Sequence, residues 1–211
     1  MEVTTKSVLS VGKGVYDFLS HSYQSRQRKR VETFLKCVDL RYSSMSLEDR
    51  KTLDEYIHSD IGQDILAEFA DSITQTSSET VQMALALLYC NDTEHDFSDA
   101  ETKTFVAAMI GMTDDLIDFF LEVSTLDQQA ATPYNRAGIH SNNVERFSQR
   151  GWNEETIYVY TNDLIRSHFL LPDPVTSFGY HDPDKWGLWF GITDRTLKVA
   201  RLISKAKMLI E

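Results

Sequence analysis

Residues 78–90 have the sequence SETVQMALALLYC, and this stretch decides the fold class. Its apolar side chains occupy one helix face at the spacing i, i+3, i+4, i+7 and also fill the other faces. The first set is Val81, Ala84, Leu85 and Leu88, and the second is Met83, Ala86 and Leu87. Because a helix that is apolar nearly all round is usually enclosed by other elements, we predict that this one is central and buried.

Helical patterns extend from this stretch in both directions. No proline occurs before Pro133, and proline breaks helix interiors. Ser46, Ser98 and Thr113 have the sequence context of helix caps. Residues 1–126 are therefore predicted to form a helical bundle, with helices at 5–22, 25–41, 47–58, 60–75, 78–90, 99–110 and 114–126. The second helix is predicted to direct one face to the core, formed by Val31, Phe34, Leu35, Val38 and Tyr42.

The pattern changes after this bundle. Residues 127–141 are polar and interrupted by proline and glycine, which is typical of a linker or long loop. Residues 142–211 then indicate two short helices that begin at Asn142 and Asn153, two apolar runs typical of a β-hairpin, and a last helix capped by Thr193. The predicted fold class is mainly α, an N-terminal helical bundle followed by a small winged-helix-like unit with one β-hairpin.

Two segments of the C-terminal unit resemble a known family. They are residues 163–171, DLIRSHFLL, and residues 186–200, WGLWFGITDRTLKVA. They resemble the end of winged-helix modules, where a helix with the pattern xLxxxGLL leads into a strand and a strand with the pattern hxhTxxG leads into a helix. The Abi-alpha group of bacterial abortive-infection proteins is similar, with a helical N-terminal part before such a module. The resemblance implies a winged-helix fold and a role in phage defence or its regulation.

Charge is distributed unevenly along the chain. The protein has 21 Lys and Arg against 32 Asp and Glu, a formal net charge of −11. Residues 51–130 carry 2 basic and 17 acidic side chains, whereas residues 1–50 have a net charge of +3 and residues 131–211 of +1. Because phosphate binding needs an excess of Lys and Arg, we exclude a protein that coats nucleic acid. The charge distribution does not exclude an ionic contact with a protein partner.

Two charged helix faces are the most specific pairing in the sequence. The acidic stripe consists of Asp114, Asp115, Asp118 and Glu122, and the basic stripe consists of Arg195, Lys198, Arg201 and Lys205. We hypothesise that the two stripes meet, within one chain or across a homodimer. The alternative is two independently solvated faces, since exposed ion pairs contribute little to stability.

The acidic stripe also contains a DDxxD string, Asp114-Asp115-Leu-Ile-Asp118. Carboxylates at this spacing can hold Mg²⁺ bound to a diphosphate, because Mg²⁺ prefers oxygen ligands. The alternative is structural, since acidic residues in the first turn interact favourably with the helix dipole. The chain contains no second metal motif at comparable strength. We therefore expect no metal and no cofactor.

The main basic cluster consists of Arg26, Arg28, Lys29 and Arg30. Four cations within five residues are predicted to circle the helix rather than to line one face. The cluster is a candidate contact with an anion or a nucleic acid, and its alternative is a solvated helix face.

The two short helices predicted to begin at Asn142 and Asn153 are joined by a tight turn and form a helix-turn-helix. This motif raises the question of DNA binding. Its second helix would enter the major groove with its N-terminal residues at the base edges. Those residues are Glu154 and Glu155, whose charge has the wrong sign for phosphates and base acceptors. We therefore expect this helix to contact protein, and nucleic acid is disfavoured.

These observations favour a non-enzymatic bacterial protein that acts through a protein partner or a homodimer. Neither a nucleophile elbow, nor a P-loop, nor zinc-ligand spacing occurs in the sequence. The isolated Cys37 and Cys90 favour a reducing compartment, so we expect the cytoplasm, and no apolar stretch has the length of a membrane span. The alternatives are a DNA-binding regulator and a Mg²⁺-dependent enzyme that uses Asp114, Asp115 and Asp118.

Overall fold

The computed structural model describes residues 4–90, 97–175 and 186–211, without the side chains of 4–20, 56–57, 61–65 and 99. Its helices are α1 (Thr4–Ser44), α2 (Leu47–Ile57), α3 (Asp60–Gln75), α4 (Glu79–Tyr89), α5 (Asp99–Ala108), α6 (Asp114–Ser124), α7 (Val144–Ser148), α8 (Glu154–Arg166) and α9 (Asp194–Ile210). Its strands are β1 (Asn135–His140), β2 (Leu171–Pro172) and β3 (Gly187–Ile192). The predicted fold class, mainly α with a small β unit near the C-terminus, is confirmed. The tip of the predicted hairpin lies outside the described residues.

Helix α4 is central, as its sequence predicts. Nine of its eleven residues are buried, and α1, α3 and α9 all pack against it. Ser78 caps this helix by accepting a hydrogen bond from the amide of Val81 at 3.1 Å. The apolar surface of α4 therefore meets helices from both ends of the chain.

Helix α1 differs from the prediction. The sequence predicts two helices, at 5–22 and 25–41, but the structure has one helix of 41 residues, because neither glycine nor proline interrupts residues 22–25. Phe34 and Cys37 are buried as core residues. Val31 and Leu35, predicted to face the core, are 37% and 53% exposed, because only a narrow face of α1 packs on α3 and α4. The ends of α2 to α6 lie within two residues of the predicted ones.

The three strands form one antiparallel sheet in the order β1-β3-β2. Strand β1 lies inside residues 127–141, so the prediction of a linker or long loop is wrong for residues 135–140. This strand pairs with β3 along its whole length, from Asn135 opposite Ile192 to His140 opposite Gly187. A Cβ atom at Gly138 would lie 2.6 Å from the ring of Trp189, so this glycine marks a close approach between strands and not a loop.

A continuous core joins the N-terminal helices to the C-terminal unit. Helix α9 packs against α4 and α6, and α6 contacts α8. Phe119 of α6 is fully buried, and its ring contacts those of Phe147, Trp152 and Tyr160 at centroid distances of 5.3 to 5.7 Å. In the described part of the chain, no helix combines the length and the apolar character that crossing a membrane requires.

Candidate functional site

The acidic stripe lies on α6, where Thr113 caps the helix as predicted. Asp114 is exposed in the first turn. Asp115 accepts hydrogen bonds from the Trp152 indole at 3.0 Å and from the Tyr160 hydroxyl. Both carboxylate oxygens of Asp115 therefore serve contacts within the chain.

The two remaining carboxylates of the stripe form ion pairs. Glu122 accepts from the guanidinium groups of Arg146 and Arg150, at 2.5 Å and 2.8 Å respectively. Asp118 accepts from Lys207 Nζ at 2.6 Å. These contacts fasten α6 to α7, to the turn after α7 and to α9.

The basic stripe lies on α9, and its contacts lead away from the acidic stripe. Arg195 donates to the carbonyl oxygen of His168 at the end of α8, and Lys198 pairs with Glu101 of α5 at 3.5 Å. Arg201 is exposed and Lys205 is half-buried. The helices α6 and α9 do pack, but the ion pair described between them uses Lys207, which the sequence analysis missed. The charge pattern of α9 alone contains no feature that singles out Lys207.

The DDxxD carboxylates are separated by their contacts. Asp115 is directed to Trp152 and Tyr160, whereas Asp118 is directed to Lys207. Among the described residues, no group of three or more His, Cys, Asp and Glu side chains could hold a metal ion.

The Asp115–Tyr160 hydrogen bond makes a testable contribution to stability. Together with partial burial, it raises the pKa of Tyr160 from 10.0 to about 12. The folded protein holds this proton more tightly than the unfolded chain does. The stabilisation is therefore fully present below pH 10 and is lost as the pH rises from 10 to about 12.

We expect the wild type to lose stability more steeply than Tyr160→Phe over this pH interval, because the variant has no phenol to ionise. Urea unfolding at several pH values measures both slopes. Other groups that titrate in this interval are common to the two proteins and cancel in the comparison. Parallel curves would contradict the prediction.

The outer face of α8, which consists of Glu155, Tyr158, Val159 and Asn162, combines charge with exposed apolar side chains. Asn153 caps the helix as predicted, and Ile157, Thr161 and Leu164 are buried on the opposite face. Tyr158 and Val159 are 40% and 50% exposed. The ring of Tyr158 contacts Trp186 edge-on at 5.7 Å.

A cleft lies between α5, the turn before α6 and the end of α8. Its volume is about 640 Å³, and its polar lining includes Asp163, Arg166, Ser167 and His168. The Ser167 hydroxyl donates to the backbone carbonyls of Asp163 and Leu164, so its proton is directed away from the His168 ring. Asp163 pairs with Arg166 at 3.1 Å. In the cleft as described, no hydrogen bond joins a nucleophile to a base.

The basic cluster on α1 does not circle the helix as predicted. Successive helical residues lie about 100° apart, so Arg26, Lys29 and Arg30 share one face and Arg28 lies opposite. Arg28 pairs with Glu32 at 3.1 Å. The three residues on the shared face line a cleft of about 220 Å³ against the turn between α3 and α4. The sequence analysis missed this cleft, although the spacing i, i+3, i+4 indicates the shared face.

Comparison with known proteins does not assign this geometry to a family. No family model matches the chain, and no curated protein or solved structure is similar to it. The resemblance to Abi-alpha proteins therefore stays a prediction.

Proposed function

We propose that the chain is a non-enzymatic protein of the bacterial cytoplasm that binds a protein partner through the outer face of α8. In this proposal α6 and β1 complete the predicted module of residues 142–211 as a winged-helix unit, and the partner is a second protein or a second copy of the chain. The observation that carries the proposal is the side-chain composition of this face. It places exposed Tyr158 and Val159 one helical turn after Glu154 and Glu155.

The element order supports the winged-helix part of the proposal. A helix, a strand, two helices joined by a tight turn and two further strands follow one another as α6, β1, α7, α8, β2 and β3. The first strand pairs with the last, and the sheet order is β1-β3-β2. Helix α8 then holds the position of the second helix of a helix-turn-helix.

The side chains of α8 favour a protein over DNA as the binding partner. A recognition helix presents its N-terminal residues to base edges between two phosphate backbones. Glu154 and Glu155 would bring negative charge to that position. Exposed aromatic and aliphatic side chains, in contrast, are typical of the centre of a protein interface. The matching partner surface has an apolar patch bordered by Lys or Arg.

The proposed cellular setting is the bacterial cytoplasm. The side chains of Cys37 and Cys90 are both buried, and two isolated cysteines suit a reducing compartment. Burial raises the pKa of Cys37 to about 11, so this thiol is unreactive at neutral pH. A role in phage defence or its regulation is supported by the sequence resemblance alone.

Site-specific photocrosslinking tests the partner contact. A photoreactive residue at position 159 is expected to give one discrete crosslinked species in bacterial cells, and a homodimer would have twice the mass of the chain. The same residue at Gln128, exposed before β1, is the control and should give none. Val159→Glu should weaken the complex roughly tenfold or more, since a charge would enter an apolar contact.

The proposal fails if positions 159 and 128 give the same products, or if Val159→Glu leaves the crosslinked species unchanged. A gel shift with random duplex at low salt addresses the DNA-binding alternative. Retardation that Glu154→Lys strengthens and Val159→Glu does not affect would favour that alternative. We expect no retardation with the wild-type protein.

A further inference from the structure

The cleft between α1 and the turn that joins α3 to α4 has the composition of an anion site. It has a volume of about 220 Å³ and lies beside the start of α4. Its lining consists of three cations, three hydroxyl side chains and one amide, contributed by Arg26, Lys29, Arg30, Thr33, Thr76, Ser77 and Gln82. No carboxylate belongs to the described lining.

The cations of this cleft are not neutralised within the described part of the chain. Arg26 and Lys29 are exposed and form no ion pair there, and Arg30 donates to the carbonyl oxygen of Thr74 at 2.5 Å, which leaves its charge uncompensated. Arg28 has Glu32 as a partner. An unpaired group of three cations stands out in a protein whose net charge is −11.

Gln82 provides a second, independent indication of a ligand. This residue lines the cleft and is only 1% exposed. Its Nε2 donates to the carbonyl oxygens of Ile73 at 2.8 Å and Thr76 at 3.5 Å, and these bonds fix the orientation of the amide. Its Oε1 is buried and has no hydrogen-bond partner among the described atoms. A buried acceptor without a partner is costly, and a bound donor would remove that cost.

We propose that this cleft binds a small phosphate monoester. Arg26, Lys29 and Arg30 bind the phosphate oxygens through charge-assisted hydrogen bonds, and Ser77 donates a further one from its hydroxyl. Gln82 Oε1 accepts a hydrogen bond from a hydroxyl group of the organic part. Pockets for drug-sized ligands measure roughly 300–1,000 Å³, so this smaller cleft suits a phosphorylated molecule of few carbon atoms.

The number of cations also argues against a nucleic acid at this position. Three side chains around one cleft can neutralise one phosphoryl group, whereas polyanion binding uses cations spread along several phosphates. The other side of α1 at this level carries the Arg28–Glu32 pair, which is already neutral. The recognised chemistry is therefore one phosphoryl group with a neighbouring hydroxyl.

Isothermal titration calorimetry on the full chain at low salt tests the site. The probes are glycerol 3-phosphate, methyl phosphate and inorganic phosphate. We expect glycerol 3-phosphate to bind most tightly, because methyl phosphate has no hydroxyl group for Gln82. The variant R26Q/K29Q should lose roughly tenfold or more in affinity, whereas the matched control R28Q, on the opposite face, should lose less than about twofold.

Two kinds of calorimetric result would overturn the proposal, one the site itself and the other the role of Gln82. No heat with any probe, or equal losses in R26Q/K29Q and R28Q, would overturn the site itself. Equal affinities for glycerol 3-phosphate and methyl phosphate would overturn the role of Gln82. Arg26 and Lys29 are exposed, so both variants should fold, and far-UV circular dichroism checks this. The outcome is independent of the partner contact at α8.

Discussion

Replacing Leu202 by aspartate is expected to unfold the N-terminal helices and the C-terminal unit together. Leu202 is fully buried on α9, the helix that packs against both α4 and α6. An unpaired carboxylate there would have to lose its hydration or force α9 away from the core. We expect a loss of at least about 4 kcal/mol, which is a large part of the stability of a domain of this size.

The distribution of chromophores makes this prediction measurable. All three tryptophans, Trp152, Trp186 and Trp189, belong to the C-terminal unit, so fluorescence reports its unfolding. Far-UV circular dichroism is dominated by helix, most of which precedes residue 127. In the wild type the two urea transitions should coincide, as they do for a single cooperative unit. In Leu202→Asp both signals should shift by the same amount.

Arg201→Asp is the matched control, because it introduces the same side chain one residue earlier, at an exposed position. It should change the free energy of unfolding by about 0.5 kcal/mol or less. If Leu202→Asp altered the fluorescence transition and left the circular dichroism transition in place, residues 1–126 would fold independently of α9. The sequence-based division into a bundle and a winged-helix-like unit would then describe two separate folding units.

Phe119→Ala is expected to have the second largest effect, a loss of about 3–5 kcal/mol. Phe119 is fully buried at the centre of a ring cluster with Phe147, Trp152 and Tyr160. Removing the ring leaves a cavity between α6, α7 and α8, because three aromatic neighbours cannot all move into the same space. The three edge-on or tilted ring contacts are lost as well.

Phe119→Leu separates volume from aromatic contact. Leucine fills most of the space, so its cost should be clearly smaller than that of alanine, at about 1–2 kcal/mol. Urea unfolding followed by Trp fluorescence measures both variants, since Trp152 contacts the substituted ring. A cost below about 1 kcal/mol for Phe119→Ala would contradict the central position of this residue in the ring cluster between α6, α7 and α8.

Local sequence rules predicted the elements whose stability is mainly local. The caps at Ser98, Thr113, Asn153 and Thr193 are all present, because a cap depends on residues within one helical turn. The cap predicted at Asn142 is wrong by one residue, since Asn143 holds that position. Its side chain bonds the His140 amide instead of α7.

Elements that depend on distant partners could not be predicted in this way. Strand β1 has few apolar residues, and its pairing partner β3 follows about 50 residues later in the chain. The anion cleft combines one face of α1 with the turn at Thr76 and Ser77. Neither segment by itself indicates a ligand, because only their approach brings the cations of α1 and the buried Gln82 into the lining of one cleft.

The sequence by itself determined the helical class and the central position of α4, because a helix that is apolar on every face has to be enclosed. It also determined where most helices begin. Tertiary structure alone decided that α9 covers α4, that Lys207 rather than the predicted stripe reaches Asp118, and that three cations of α1 line one cleft without a carboxylate among its described lining. Long, flexible charged side chains can reach several partners, so their contacts depend on how whole helices pack.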